Sequence, residues 1–146
     1  MKIALVVARY HAFVTDRLEA GARAALAHAG LRSDEIETFH VPGAFELAPA
    51  AERLAESGRW SAVVCLGCLI KGETPHFDYI AAAAAHGIMR AAQETGVPVA
   101  FGVLTTHTAD EALARAGDDE GNKGQEAALA ALDMARLYER IDRDRA

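Results

Sequence analysis

The chain has 146 residues, of which 51% are hydrophobic and 25% are charged, and its formal net charge is -6 at pH 7. A chain of this length forms about one domain, and an acidic chain lacks the excess of Lys and Arg on which nonspecific nucleic-acid binding depends. No apolar run approaches the roughly 18 residues of a transmembrane helix, so the composition predicts a soluble globular protein that binds neither membrane nor nucleic acid.

The apolar pattern predicts four strands that alternate with helices. Short runs rich in β-branched residues are typical of buried strands, and apolar residues three or four positions apart are typical of helices. The predicted strands are residues 2–8, 36–41, 61–67 and 98–104. The predicted helices are residues 14–29, 44–57, 75–95, 108–116 and 122–140. The first apolar run is too short for a secretory signal, so it is interpreted as a strand.

This alternation predicts a parallel sheet with helices on both faces, because parallel strands need crossover connections that cover the sheet. In such sheets ligands bind at the carboxyl ends of the strands. The segments that follow the four strands are therefore expected to meet at one edge: residues 9–11, 42–46, 67–76 and 104–108.

The segment GCLIKGETPHFDY, residues 67–79, has the outline of a phosphate-binding loop but carries Glu73 where such a loop has lysine. Thr74 is predicted to cap the following helix, with Pro75 at its first position. Free backbone N–H groups there would face an anion, and the helix dipole would keep His76 neutral and able to accept a proton. The alternative is a simple cap followed by a surface histidine, and the residues alone leave both open.

The segment VPGAFE, residues 41–46, is a second candidate. A strand that turns into a helix through Pro-Gly leaves Glu46 near the sheet edge, where its carboxylate can accept hydrogen bonds from ligand hydroxyls or ring N–H groups. Alternatively, Phe45 belongs to the core and Glu46 is a first-turn helix residue that the dipole favours.

The segment at residues 107–128 predicts two capped helices that meet across an acidic, Gly-rich loop. The capping pairs are Thr108 with Glu111 and Asn122 with Gln125. Arg115 and Lys123 flank that loop, and the planar guanidinium of an arginine suits a phosphate. The alternative is a solvated arginine near a helix C-terminus, where cations are common.

Cys65 and Cys68 have the spacing of a redox pair or of half a zinc site. Residues three apart in a strand point to opposite faces, and no second Cys/His cluster completes a metal shell. The sequence therefore predicts two buried strand cysteines in a reducing cytoplasm, without a metal.

Four motifs occur together: VPGAFE, GCLIKGETPHFDY, FGVLTT, and RAG followed by GNKGQEAA. In the order and spacing of these four motifs, the chain closely resembles the lumazine synthase family from about residue 2 to residue 138. The resemblance implies a three-layer, flavodoxin-like α/β fold with one domain over residues 1–146. It implies condensation of 5-amino-6-(D-ribitylamino)uracil with 3,4-dihydroxy-2-butanone 4-phosphate to 6,7-dimethyl-8-ribityllumazine, the penultimate step of riboflavin biosynthesis, without a cofactor.

The same resemblance implies a role for each matching position. His76 matches the family's proton-transfer residue. The positions implied to bind the pyrimidine ring and ribityl chain are Tyr10, Ala44, Phe45, Glu46, Cys68, Leu69, Ile70, Phe101 and Lys123. The positions implied to hold the butanone phosphate are Glu73, Thr74 and Arg115. Tyr10 stands where relatives usually have Phe or Trp.

The resemblance further implies a homo-oligomer whose active sites lie between neighbouring subunits of a pentamer. The segments matching Phe101, Arg115 and Lys123 would come from the adjacent chain. Some relatives assemble pentamers into a shell. Here the chain starts directly on its first strand, and residues 118–120 are acidic where relatives often carry a lysine. Like charges repel near a symmetry axis, so a pentamer or a dimer of pentamers is expected.

Two other classes of protein remain alternatives. One is a catalytically weak pentameric scaffold or ligand-binding protein of the same fold, which the polyalanine helix and Tyr10 leave open. The other is a nucleotide- or flavin-binding module, which the missing GxGxxG motif and Walker lysine disfavour.

Overall fold

A computed structural model describes residues 1–145 of the chain. Its strands are β1 (Ile3–Ala8), β2 (Ile36–Val41), β3 (Ala62–Ile70) and β4 (Val99–Thr106). Its α-helices are α1 (Ala12–His28), α2 (Leu47–Glu56), α3 (His76–Thr95), α4 (Ala109–Ala114) and α5 (Lys123–Arg145). Every predicted strand and helix is present in the predicted order, with ends that differ by a few residues.

The four strands form one parallel sheet in the order β2-β1-β3-β4. β1 pairs with both of its neighbours from Ile3 onward, opposite Ile36 of β2 and Ala62 of β3. β4 pairs along β3 as far as Ile70 opposite Thr106. The predicted fold class is confirmed, and all four carboxyl ends lie at the same edge of the sheet because the strands are parallel.

Alternate residues of the central strands build two separate hydrophobic layers, as a pleated strand requires. The layer that α1 and α5 cover contains Ile3, Leu5 and Val7 of β1. The layer that α2 and α3 cover contains Ala4, Val6 and Ala8. Cys65 and Cys68 are both free and buried in opposite layers, as the sequence predicted.

β3 is longer than predicted, because it continues to Ile70 rather than ending at Gly67. Gly67 is a packing residue of this strand, since a Cβ there would lie 2.9 Å from Cδ1 of Leu47 in α2. The connection between β3 and α3 is therefore shortened to residues 71–75. This shorter loop places the amino terminus of α3 close to the carboxyl end of β3.

The predicted cap of α3 by Thr74 is wrong. The helix begins at His76 with Pro75 as its cap residue, and no side chain caps it. The N–H groups of Asp78 and Tyr79 donate to the carbonyl oxygen of Pro75 at 3.0 and 3.3 Å. Since the main chain pairs these donors itself, the Thr74 hydroxyl is not needed as a cap.

Candidate active site

A first cavity of about 580 Å³ lies at the carboxyl edge of β1, β2 and β3. It is an open cleft rather than a closed chamber, and parts of three strand-to-helix connections line it. The predicted site residues along it are Tyr10, Ala44, Phe45, Glu46, Leu69, Ile70, Thr74 and His76. The parallel sheet thus brings together residues that lie far apart in the sequence.

Main-chain hydrogen bonds hold the connections after β1 and β2 side by side. The N–H of Arg9 donates to the carbonyl of Val41 at 2.8 Å, and the N–H of Tyr10 donates to the carbonyl of Pro42 at 3.0 Å. The Glu46 carboxylate accepts from the N–H of Gly43 at 2.9 Å, which closes the turn that precedes α2. The hydrogen bonding between β1 and β2 therefore continues past the strand ends as far as the main chain of Tyr10.

The loop between β3 and α3 offers unpaired donors to the first cavity. Within residues 1–145 the backbone N–H groups of Gly72, Glu73 and Thr74 donate no hydrogen bond to the protein. They lie at the amino end of α3, where the helix dipole favours negative charge. His76, in the first turn of that helix, is exposed and lines the same cavity. The arrangement presents hydrogen-bond donors for an anion beside an imidazole, which is a side chain able to transfer protons.

Aromatic side chains line the first cavity and stay uncovered. Tyr10 is 67% exposed and Phe45 is 56% exposed. Large rings left open to solvent around a polar loop are typical of a surface that stacks on a planar ligand or is covered by a partner.

Two predicted residues, Cys68 and Glu73, are not among those that line this cavity. Cys68 is 2% exposed, and its side chain packs in the hydrophobic layer covered by α1 and α5. Burial raises the pKa of its thiol to about 11, so the group stays neutral. Glu73 is exposed to solvent. From these positions Cys68 can contribute through its main chain and Glu73 through its free N–H.

A second cavity of about 450 Å³ lies between β4, α4 and the start of α5. Among the residues that line it are Phe101, Arg115 and Lys123, which are the other three predicted residues absent from the first cavity. The guanidinium of Arg115 donates to the carbonyl of Glu111 at 3.0 Å, and the Lys123 ammonium lies 3.3 Å from the carboxylate of Glu126. The predicted site is therefore divided between two surfaces of one chain.

Caps order the two helices around the second cavity. The hydroxyl of Thr108 accepts from the N–H of Glu111 at 3.1 Å, and the carboxylate of Glu111 accepts from the N–H of His107 at 3.2 Å. The side-chain oxygen of Asn122 accepts from the N–H of Gln125 at 3.0 Å. The side-chain caps by Thr108 and Asn122 are present, which fixes where α4 and α5 begin, but the reciprocal bonds of two capping boxes are not formed, since the N–H of Asn122 donates to the carbonyl of Asp119.

A family model described as 6,7-dimethyl-8-ribityllumazine synthase matches residues 1–139. The chain belongs to this family. It is 50% identical to the 6,7-dimethyl-8-ribityllumazine synthase of Deinococcus radiodurans over 98% of this chain and 92% of that protein. It is 48% identical to the synthase of the same name from Syntrophus aciditrophicus, over 97% of this chain and 92% of that protein. The Deinococcus deserti protein of this name is also 48% identical, over 97% of this chain and 90% of that protein.

Several cavity-lining residues of this family member were missed from the sequence. His11, Phe77 and Ile80 line the first cavity, and Glu111 and Glu126 line the second. His11 had a signal, since it directly follows Tyr10 at the end of a strand. The other four needed the helix orientations, which a periodic pattern does not give.

His11 also has an unusual backbone. Its φ of 64° and ψ of 45° lie in the left-handed region, and it is the only residue other than glycine with positive φ within residues 1–145. Its ring lies 4.3 Å from that of Tyr10, between ring centroids. Partial burial lowers the pKa of His11 below the usual histidine value, which favours the neutral ring. Left-handed backbone of this kind is often found at binding sites.

Neither a candidate membrane span nor a metal-binding cluster occurs in the part of the chain that the structure describes. No helix there is both long enough and apolar enough to cross a membrane. Across residues 1–145, no three side chains of His, Cys, Asp or Glu come together as a metal-binding group.

Proposed function

We propose that this chain condenses 5-amino-6-(D-ribitylamino)uracil with 3,4-dihydroxy-2-butanone 4-phosphate to form 6,7-dimethyl-8-ribityllumazine, releasing phosphate and water. Membership of the family and the near-complete coverage of its relatives support this activity. One structural observation carries the proposal. The residues that match the family's motifs gather around two open cavities, one with the anion-binding loop and His76 and one with Arg115 and Lys123.

Each cavity by itself is an incomplete site for a phosphorylated substrate. The residues that line the first cavity, all within the described range 1–145, include no Lys or Arg, although its loop presents free N–H groups. The second cavity has two cations and lacks such a loop. We propose that the second cavity of one subunit faces the first cavity of its neighbour. Repeated head to tail, this contact closes a ring.

We propose a homopentamer or a multiple of pentamers built from that contact. A third cavity of about 460 Å³, mostly apolar, adjoins the second one between α3, β4 and α5. Met89 and Met134 on its lining are 59% and 40% exposed, so a large apolar surface lies open on the isolated chain. Burial of such surface by a neighbouring subunit is favourable by about 25 cal/mol per Å².

In the proposed complex the butanone phosphate binds the free N–H groups of Glu73 and Thr74, and Arg115 of the neighbour contacts the same phosphate. The pyrimidine ring lies against Tyr10 and beside Leu69 and Ile70. The remaining contacts to the ring and ribityl chain come from Ala44, Phe45, Glu46, the main chain of Cys68, and the neighbour's Phe101 and Lys123. Backbone donors and a planar guanidinium together neutralise a phosphate without a metal ion.

The proposed chemistry consists of proton transfers between two bound reactants. The pyrimidine amine attacks the ketone, water leaves to give an imine, phosphate is eliminated, and ring closure releases a second water. His76 lies beside the anion loop and can carry protons between these steps. No step needs an external oxidant or a strong nucleophile, so alignment of the reactants supplies much of the rate enhancement.

We also propose that the chain forms one domain that works in the cytoplasm. Both cysteines are free and buried, which fits a reducing compartment. The exposed aromatic rings and unpaired N–H groups of the first cavity are suited to ligand binding, and no observation on the described residues favours an inert scaffold.

The proposal is tested by mixing purified protein with both substrates and following lumazine fluorescence, with each substrate omitted in turn as the control. Light scattering on the same sample gives the subunit number. The expected result is product that needs both substrates and a mass of five subunits or a multiple of five. A folded oligomer that forms no product above the uncatalysed rate would contradict the activity and favour the scaffold alternative.

A further inference from the structure

Asn122 is a buried polar residue at the junction of α1, the connection after α4, and α5. It is 2% exposed. Its side-chain N–H₂ group donates to the carbonyl of Gly117 at 2.9 Å and to the carbonyl of Arg17 at 3.3 Å. Its side-chain oxygen accepts from the N–H of Gln125 at 3.0 Å. One carboxamide thereby joins three segments of the chain through both its donor and its acceptor atoms.

The side chain of Asn122 packs directly against α1 at Gly21, where no other side chain has room. A Cβ at Gly21 of α1 would lie within 2.7 Å of the Asn122 side-chain nitrogen and would collide with the rest of the carboxamide. The glycine thus lets Asn122 reach the carbonyl of Arg17. The junction is closely packed, so a change at Asn122 has little space to relax.

The junction adjoins the connection whose two ends, Arg115 and Lys123, carry the cations of the second cavity. The N–H of Lys123 donates to the carbonyl of Arg115 at 2.8 Å, which closes the connection from residue 115 to residue 123 into a loop. The side chain of Asn122 donates a hydrogen bond to the carbonyl of Gly117 within this loop. The exposed side chain of Arg115 is hydrogen-bonded to the carbonyl of Glu111 in α4, and the loop main chain that Asn122 contacts sets where this side chain begins.

We propose that Asn122 is a positioning residue for substrate binding, which sets the placement of Arg115 and Lys123 against the substrates. This inference rests on the proposed function, because it takes Arg115 to contact the butanone phosphate. Asn122 itself touches neither cavity. It acts through the loop whose two ends carry the cations.

The chemistry of the site requires an amide at this position. An aspartate would keep the acceptor for Gln125 but would place a buried negative charge against the carbonyl oxygens of Gly117 and Arg17. A serine would keep a cap for α5 and lose both long-reach donations. Protonated aspartic acid regains one donor, so the effect of Asn122→Asp should depend on pH.

The test compares Asn122→Ser and Asn122→Asp with the wild type and with Leu132→Ala, a core change in α5 that faces neither described cation. All four proteins are first matched for oligomeric mass and circular dichroism at the assay temperature. Asn122→Ser is expected to raise the KM for the butanone phosphate by about tenfold to a hundredfold, with a smaller change in kcat. Leu132→Ala is expected to lower stability and leave this KM unchanged.

A pH series provides a readout that loss of stability alone would not produce. The KM ratio of Asn122→Asp to wild type is expected to fall as the pH is lowered from about 8 to about 6, because a protonated carboxyl can again donate to Gly117. If the Asn122→Ser protein does not fold, Asn122→Asp at low pH still tests the inference. A KM ratio near one at every pH would overturn it.

Arg115→Ala separates this inference from the proposed function. If Asn122 acts through Arg115, Asn122→Ser adds little to the KM already raised by Arg115→Ala, so the two effects are not additive. Additive effects would overturn the positioning role alone. An Arg115→Ala protein with the KM of the wild type would overturn both the proposed role of Arg115 and the inference built on it.

Discussion

Gly124 of α5 lies directly against the main chain of Leu18 in α1, with no room for a side chain between them. A Cβ at position 124 would overlap the carbonyl oxygen of Leu18 and lie 2.6 Å from its carbonyl carbon. Because the obstacle is backbone, a rotamer change cannot relieve it. This contact lets α1 and α5 pack closely over one face of the sheet, beside the junction at Asn122.

Gly124→Ala should therefore destabilise the protein by about 1–2 kcal/mol, because an overpacking cost near the upper end of about 1–3 kcal/mol outweighs the gain of about 1 kcal/mol in helix propensity. The free energy of unfolding is measured by urea denaturation. Arg136→Gly, at an exposed position of the same helix, is the matched control and should cost about 1 kcal/mol through propensity alone. A stabilised alanine variant would show that the two helices do not cross as described.

Thr15→Val should destabilise the protein by about 1–2 kcal/mol at nearly constant side-chain volume. The Thr15 hydroxyl is fully buried and donates to the carbonyl of Ala8 at 2.8 Å, where β1 leads into α1. Valine fills the space and removes the donor. Thr15→Ser keeps the hydroxyl and therefore the hydrogen bond to Ala8, so it should lose less free energy of unfolding from this bond than Thr15→Val. Urea denaturation of both variants measures the difference. Equal stability of the Thr15→Val and wild-type proteins would argue against a contribution from this bond.

The two thiols should be unreactive in the folded protein at about pH 8. Burial raises the pKa of Cys65 to about 12 and that of Cys68 to about 11, from an ordinary value of 9.0. Only the thiolate reacts readily, so iodoacetamide should label neither cysteine until urea unfolds the chain. Rapid labelling of the native protein, followed by mass spectrometry, would contradict the buried positions.

The same pKa values predict how stability changes in alkali. A raised thiol pKa means that the unfolded chain loses its protons first, as the pH rises above about 9, while the folded chain keeps them. Stability should therefore be unaffected by these groups at neutral pH and should fall as the pH rises toward 11. Cys65→Ala or Cys68→Ala should make this alkaline decline shallower, apart from any uniform loss caused by the smaller side chain.

Mixed oligomers test whether two subunits share each active site. Tyr10→Ala/His76→Ala disables the first cavity, and Arg115→Ala/Lys123→Ala disables the second, so each double variant should be nearly inactive alone. After co-expression in equal amounts, random assembly of a head-to-tail ring should restore about a quarter of the wild-type sites. Fluorescence assays on the co-expressed and separately purified proteins measure this recovery. Failure to recover activity in verified mixed oligomers would place the whole site within one chain.

His76→Gln should lower kcat by about tenfold to a hundredfold and leave both KM values close to those of the wild type. A well-oriented acid–base group contributes about a hundredfold to ten-thousandfold, and the side chain of His76 is exposed to solvent. Its contribution should therefore lie at the low end. Steady-state kinetics with each substrate varied in turn checks this, and a loss beyond ten-thousandfold would assign His76 a larger role.

Some members of the candidate site could be found from the sequence because they lie where predicted strands end. Tyr10 and Glu46 are of this kind, and the parallel sheet brings them to one cavity. The sequence predicted that Cys68 is buried, but only the structure shows that its side chain packs in the layer covered by α1 and α5 and not along that cavity. Asn122 was predicted only as a cap, because its contact with Arg17 joins residues far apart in the chain.

The amino-acid sequence by itself determined the alternation of strands and helices, and with it the parallel sheet and the edge at which a ligand is expected to bind. It could do so because apolar periodicity and helix ends depend on residues a few positions apart. Only the tertiary structure decided that Gly67 and Gly124 are packing residues and that the site is divided between two cavities. Those features depend on how closely segments distant in sequence approach one another, which no local pattern encodes.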